Sequence, residues 1–462
     1  MRDLFFKELA YYLKDARLYL GFVFIVLTMG VGGLLYGRHH VEALSEYSKA
    51  LAVEDEKVRE LSFRLSELAE EEFRAYRRPR ALQFVADAED DMRPNMISYS
   101  TAYVDNPDRS RSLSYQKRRY ERLDWSFAIG VLGTFLAVVL SFNAISGEKE
   151  EGTLRLILSN SVSRSTVLAA KLLAIAAATF FPLVVGVILS MSAMTVLSGT
   201  VFSAEELLRM MMTLCCGFLL LLVFVSMGLF ISAAVNRSVS SLVLLLLVWV
   251  LSVVIIPSLG RLLAENIKSI IPAAEVERRT GELLGEALEE YSGRDISHAP
   301  REVLPVDESE FLWDEMMDGV EGRMQEILDD NLRRKFSQAR AMDRITSISP
   351  VFLFRKAAGD FAGAGLLEDE HFVRDLNNHR ESFLEFLRDR DARDPESPHI
   401  LYRKWYMSYK PVDPGTVPRY TGGGIPLAQS LRRGLSGAAG LAVWVIVMCS
   451  LAFVAVQRMD AR

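Results

Sequence analysis

Residues 143–171 read NAISGEKEEGTLRLILSNSVSRSTVLAAK, a polar island between two long apolar runs. Three carboxylates open it, Glu148, Glu150 and Glu151, with Lys149 among them, and the pair Gly152-Thr153 follows. Thr153 is suited to cap a helix of one or two turns, because its hydroxyl can accept from backbone N–H groups that a first turn leaves unpaired. The acidic residues ahead of it suit the positive end of a helix dipole. In the run Leu154-Arg155-Leu156-Ile157-Leu158, Leu154, Ile157 and Leu158 share one face at the i, i+3, i+4 spacing. A Ser/Asn turn cluster and Ser163-Arg164 close the island before the next apolar segment. The stretch reads as a short helix in a membrane-flanked loop, charged on one side and apolar on the other. That shape suits docking a soluble partner.

The run Gly147 to Leu154, with Ser161-Val162-Ser163-Arg164 and Lys171-Leu172-Leu173, resembles the second cytoplasmic segment of ABC-2 type transporter permeases. It is most similar to the branch of nitrous-oxide-reductase maturation and gliding-motility permeases. The resemblance implies that this loop carries a coupling helix seated in a cleft of a separate ATP-binding subunit. On that basis Glu148, Lys149, Glu150, Glu151, Gly152, Thr153, Leu154, Arg155, Ile157, Leu158 and Arg164 are the expected ATPase-coupling residues. It also implies two ATPase copies and a second permease, identical or related. ATP and magnesium would then sit on the partner subunit, with no cofactor in this chain.

Composition agrees with a membrane protein that has segregated polar parts. Half of the 462 residues are hydrophobic and 24% are charged, and the mean hydropathy is +0.17. A net charge of −6 argues against a nucleic-acid partner, which calls for a basic surface. Cys215, Cys216 and Cys449 all lie in apolar runs, so no disulfide framework holds the polar stretches.

In chain order, residues 1–17 read as an amphipathic interfacial helix, an elbow in terms of the resemblance, with Phe5, Leu9, Leu13 and Ala16 on one face. No cleavage pattern of small residues follows the first apolar run, so the leader does not read as a signal peptide. Apolar runs near the roughly 20 residues that a bilayer core demands predict spans over 18–36, 125–145, 167–197, 207–235, 239–257 and 434–456. Pro182 is a candidate kink in the third. In the segment 37–124, Leu44, Leu51, Val58 and Leu65 recur every seven residues, with Leu61 and Leu68 three positions later. That stripe predicts a helix leaving the membrane and packing along a partner helix, although Glu54 interrupts the second row. The segment 258–433 is long enough for a folded domain, with helical patterns over 273–292, 308–340 and 366–390 and no clean strand alternation.

Orientation follows from the short loops, where positive charge marks the cytoplasmic side. Arg2, Lys7, Lys14 and Arg17 precede the first span, and Lys149, Arg155 and Arg164 lie in the 146–166 loop. Arg237 sits in the next short turn, and Arg458 and Arg462 end the tail 457–462, whereas residues 198–206 hold two glutamates and no Lys or Arg. The expected fold is an all-α integral membrane protein with six transmembrane helices, N-in and C-in, and mostly helical extracytoplasmic insertions after helices 1 and 5. This places it in a bacterial inner membrane. Family members commonly keep the last external loop short, so the expansion at 258–433 is a departure.

No G-x-x-x-x-G-K-[ST] loop occurs, so the chain does not cradle ATP in the P-loop manner and no enzyme activity is expected of it. Glu150-Glu151-Gly152-Thr153-Leu154-Arg155 also fits E-E-x-x-x-R, a pattern resembling one motif of intramembrane CAAX-type proteases. Such a site needs histidines at membrane depth, and His39, His40, His298, His371, His379 and His399 all fall outside the predicted spans. A metal site from His39-His40 or from His371 with His379 lacks favourable spacing and cysteine support. Charged residues are scarce within the spans, which disfavours an ion-coupled carrier. The expected function is therefore the permease subunit of an ATP-driven exporter. The alternatives are an ATPase-coupled receptor or mechanotransmitter, or a scaffold, acting on an extracytoplasmic partner without cargo. Lipid, peptide, polysaccharide and metal-related cargo all fit.

Overall fold

The computed structural model describes residues 2–87, 95–105, 123–153, 163–267, 270–293, 308–400 and 406–459. Among the described residues, six helices are long and apolar enough to cross a membrane: Ala16–Leu61, Trp125–Glu150, Arg164–Ser198, Ala204–Ala234, Ser238–Ala264 and Leu427–Arg458. They are spans 1 to 6 below. Their starts carry local signals. Asp15 accepts from Arg17 N, Ser163 from Thr166 N, and Ser203 forms a capping box with Glu206. Span 3 ends on Gly199 in the left-handed conformation, φ 64°, which a residue with a Cβ adopts reluctantly. Pro182 lies inside span 3 without ending it.

Alternation of the spans defines two ends. The near end holds the start of span 1, the turn around Ser146, residues 235–237 and the last turn of span 6. The far end holds the described residues between spans 1 and 2 and most of those between spans 5 and 6. Preceding span 1, α1 (Arg2–Tyr12) turns Glu8 and Tyr12 into the bundle and packs Phe5 and Leu9 against its core. Phe6, Tyr11 and Leu13 stay exposed. The buried face is thus rotated from the expected Phe5-Leu9-Leu13-Ala16 stripe because Glu8 finds a cationic partner inside.

The bundle closes through small residues. Span 1 presents Gly30, Gly33 and Gly37 to span 3, and at Gly33 an added Cβ would stand 2.6 Å from the carbonyl oxygen of Ser190. Backbones meet there directly, the packing that membrane helices use in place of large apolar knobs. Spans 2 and 5 each contain a π-helical segment, Ala128–Gly133 and Leu251–Ile255. Thr134 donates to Gly130 O at 2.7 Å and accepts from Trp249 Nε1 at 3.0 Å, so the two π-bearing spans are joined at that level.

Span 1 runs unbroken for 46 residues, well past the roughly 20 that a bilayer core needs. It ends at Leu61. Leu65 and Leu68 belong to a separate short helix, α2 (Leu65–Glu70), and with Val58 they are buried in a second, far-end core. The heptad residues from 58 onward therefore pack within this chain, against Phe372, Leu376, Phe383 and Leu387, rather than along a partner helix. One short antiparallel pair, β1 (Phe73–Tyr76) and β2 (Met96–Tyr99), registers Phe73 with Tyr99 and faces the same core. Four residues per strand are too few to show alternation in sequence, so no strand was expected there. The long elements described at the far end are helices, α3 (Ala273–Ser292), α4 (Glu308–Thr346), α5 (Pro350–Ala362) and α6 (Leu366–Ala392), and residues 406–426 are largely irregular. Arg77 pairs with Asp369 at 2.7 Å and Arg80 with Glu368, which ties the two far-end segments together.

Helix α5 does not stay with that domain. Val351, Phe354, Ala357 and Phe361 are buried in the main bundle core. Ser349 caps its start and donates to Ser252 O in the π segment of span 5 at 2.6 Å. Phe354 lies against Gly130 and Gly217, while Gly437 meets Ala357 and Leu353. The 258–433 stretch, read from sequence as lying wholly outside the membrane part, thus sends one helix into the bundle.

The far-end core contains a proton-sensitive contact. Burial pushes the His379 imidazole down to about 4, and its Nε2 is 2.9 Å from the Tyr99 hydroxyl. An unfolded chain binds a proton near 6.5, so between those values the unfolded state holds more protons than the folded one. The stabilisation is complete above 6.5 and is lost as pH falls toward 4. Melting temperature is expected to drop less over this window in His379→Gln than in the wild type. Parallel curves would show that His379 titrates alike in both states.

Candidate functional site

The near end gathers Glu148, Lys149, Glu150 and Arg164 of the polar island onto neighbouring helices. Glu148, Lys149 and Glu150 lie on one short helical turn, Ser146–Glu150. Ser146 is held first: its N–H and that of Ile145 both donate to Ser232 Oγ, at 2.9 and 3.0 Å. Lys149 then reaches the carbonyls of Ala233 and Val235, the latter at 3.1 Å, which are groups that the C-terminus of span 4 leaves unpaired. Glu150 accepts from Ser238 N at 3.1 Å and from its hydroxyl at 2.6 Å, at the N-terminus of span 5. The cation sits at the negative end of one helix and the carboxylate at the positive end of the next, as the macrodipole favours. Adjacent residues of opposite charge so clamp the turn between spans 4 and 5.

Arg164 does the same for span 6. Its guanidinium donates to Gln457 O at 2.8 Å, Met459 O at 2.9 Å and Val456 O at 3.3 Å. Glu148 turns the other way, to Lys171 of span 3, whose ammonium is 2.7 Å from Glu148 Oε1. Lys171 also donates to Glu8 of α1, at 3.1 and 3.2 Å to its two oxygens. A small cleft beside this group is lined by Ile145, Glu148, Arg164, Lys171, Val456 and Met459.

Of the residues singled out from sequence, Glu148, Lys149, Glu150 and Arg164 are all held by partners within the chain; Glu148, Lys149 and Arg164 are partly buried and Glu150 is exposed. Glu151 and Gly152 are exposed, and Gly152 takes a positive φ of 71° with open space around it. Thr153 follows, its hydroxyl 3.4 Å from Glu148 O. Leu154, Arg155, Ile157 and Leu158 lie outside the described residues. Glu8, Lys171, Ser232 and Ser238 were not among the expected coupling residues, although Lys171 belongs to a run that carries the resemblance. Elsewhere, His371 pairs with Asp375 at 2.8 Å and His379 with Tyr99, so the two face different neighbours. Among the described residues no group of three or more His, Cys, Asp or Glu could hold a metal, and Cys215, Cys216 and Cys449 are free thiols.

No curated protein matches the chain. Residues 3–461 match the family described as ABC-2 family transporter protein.

Proposed function

Because the chain belongs to the ABC-2 transporter family, an integral multi-pass membrane family without an ATPase domain of its own, we propose that it is the permease subunit of an ATP-driven exporter in a bacterial inner membrane. Permeases of this family generally pair with ATPase subunits. Both termini and residues 146–166 face the cytoplasm, and the far-end domain lies outside. Two ATPase copies engage two permeases, and closure of the ATPase pair pushes on residues 148–158.

The observation that carries this reading is the fastening of residues 146–150 to the ends of spans 4 and 5, with Glu151 and Gly152 exposed beyond them. A push on the exposed turn is delivered to two spans at once, through polar contacts at helix ends rather than through a floppy loop. Glu151 is the carboxylate left to meet a basic group of the partner.

The test is a detergent pull-down of the tagged chain, with mass spectrometry and an ATPase assay on the eluate. A stoichiometric P-loop ATPase is expected with the wild type. The double variant Glu150→Lys, Glu151→Lys should insert normally and lose that subunit by about tenfold or more, the scale of reversing a charge at an interface. Full retention would overturn the docking role.

A second reading is favoured by span 1 passing unbroken into the far-end core through Val58. In it the ATPase moves the far-end domain against an extracytoplasmic partner without cargo. Cross-linking span 1 to span 3 at the far end would then abolish activity even if the bundle never opens.

A further inference from the structure

The group Glu8, Lys171 and Glu148 joins three elements that are far apart in sequence: α1, span 3 and the 146–150 turn. The Lys171 side chain is 3% exposed, Glu8 11% and Glu148 19%. Two carboxylates share one ammonium. The cluster therefore carries one more negative than positive group in a buried setting where an uncompensated ion is costly. The two carboxylates are not equivalent. Glu8 meets Lys171 through both oxygens, whereas Glu148 does so through Oε1 alone, and its buried Oε2 has no partner among the described residues. Glu148 is the member that can leave. Its departure would strand no charge, because Lys171 and Glu8 remain as a doubly bonded neutral pair.

We propose that Lys171 is a positioning residue that ties α1 to the 146–150 turn, and that the ATPase subunit breaks this tie. A cationic group of the docked subunit supplies the partner that Glu148 Oε2 lacks and draws Glu148 off Lys171. Helix α1, then held only to span 3, is free to move relative to the turn. Its motion passes into span 1 at Asp15, which caps that span and binds the Arg17 guanidinium, itself 3.1 Å from Val139 O of span 2. This inference rests on the docking role proposed above.

The test uses the complex purified with its ATPase subunit, in a background with Cys215, Cys216 and Cys449 replaced by alanine. Tyr11→Cys, at a position 60% exposed, reports on α1 through its maleimide labelling rate, and co-elution of the ATPase subunit with the tagged chain reports on docking. ATP with vanadate is expected to change labelling at Tyr11→Cys about fivefold, the scale of a typical coupling energy. Lys171→Gln and Glu8→Gln should abolish that change while the ATPase subunit still co-elutes. Lys171→Arg, which keeps the cation between the two carboxylates, should retain it, and it carries the test if Lys171→Gln fails to fold. A nucleotide response that persists in Lys171→Gln, or that is absent from the otherwise native complex, overturns the proposal. An ATPase subunit that does not co-elute with the tagged wild type would instead overturn the docking role, and this inference with it.

Discussion

Replacing Arg209 with methionine is expected to lower the apparent melting temperature of the detergent-purified protein by about 5 °C, for a loss of about 3–5 kcal/mol. The side chain sits at the far end of span 4 and is 9% exposed. Its guanidinium donates to Phe361 O at 3.0 Å, Ser430 Oγ at 2.7 Å and Ile425 O at 3.3 Å, and it binds Glu205 Oε1 at 2.8 Å. One planar fork so joins span 4 to the end of α5 and to the entry into span 6. Methionine fills the volume but leaves two buried carbonyls without donors, each costing roughly 1–3 kcal/mol. Arg209→Lys keeps the charge and loses the fork, so it should fall between the two. Thermal unfolding followed by fluorescence measures this. A methionine variant that melts like the wild type would show that α5 is held by its apolar face alone.

The second large effect is expected at Gly33. Leucine there should prevent spans 1 and 3 from closing, and the protein should elute as aggregate on size exclusion rather than as a single peak. The obstacle is backbone: an added Cβ would lie 2.6 Å from Ser190 O and 2.7 Å from Ser190 Cα. Span 3 is fixed at that point, because Ser190 Oγ accepts from the buried Trp125 indole at 2.8 Å. Gly21→Ala is the control. Its new methyl would meet only the tip of the Leu136 side chain, which can rotate away. A monodisperse Gly33→Leu protein would refute the close approach.

What could be read from the chain, and what could not, divides along physical lines. The six spans were legible because bilayer thickness imposes a length, and each apolar run meets it. The helices at 273–292 and 366–392 were legible from their periodicity. Helix α5 was not, although Ser349-Pro350 and Gly363 mark its ends, because 13 residues are too few to register as a membrane segment. Its depth is set by the glycines of spans 2, 4 and 6 that receive it. Lys149 and Glu150 were legible as a charged loop. The turn at Arg237 between spans 4 and 5 was legible too, but not that these two residues grip the helix ends it joins, because those contacts span 84 to 88 positions. Lys171 was visible as a charge in an apolar run, but its partner Glu8 lies 163 positions away.

Span 1 also has a mechanical consequence. At about 1.5 Å per residue its 46 residues make a rod of about 69 Å. Hinged at Asp15, a tilt of only about 5° would sweep its far tip through about 6 Å, more than the pitch of one helical turn. Small strokes at one membrane face would become displacements at the other that are large enough to change which residues touch. The lever needs no hinge of its own, because the hydrogen bonds along its backbone supply the stiffness.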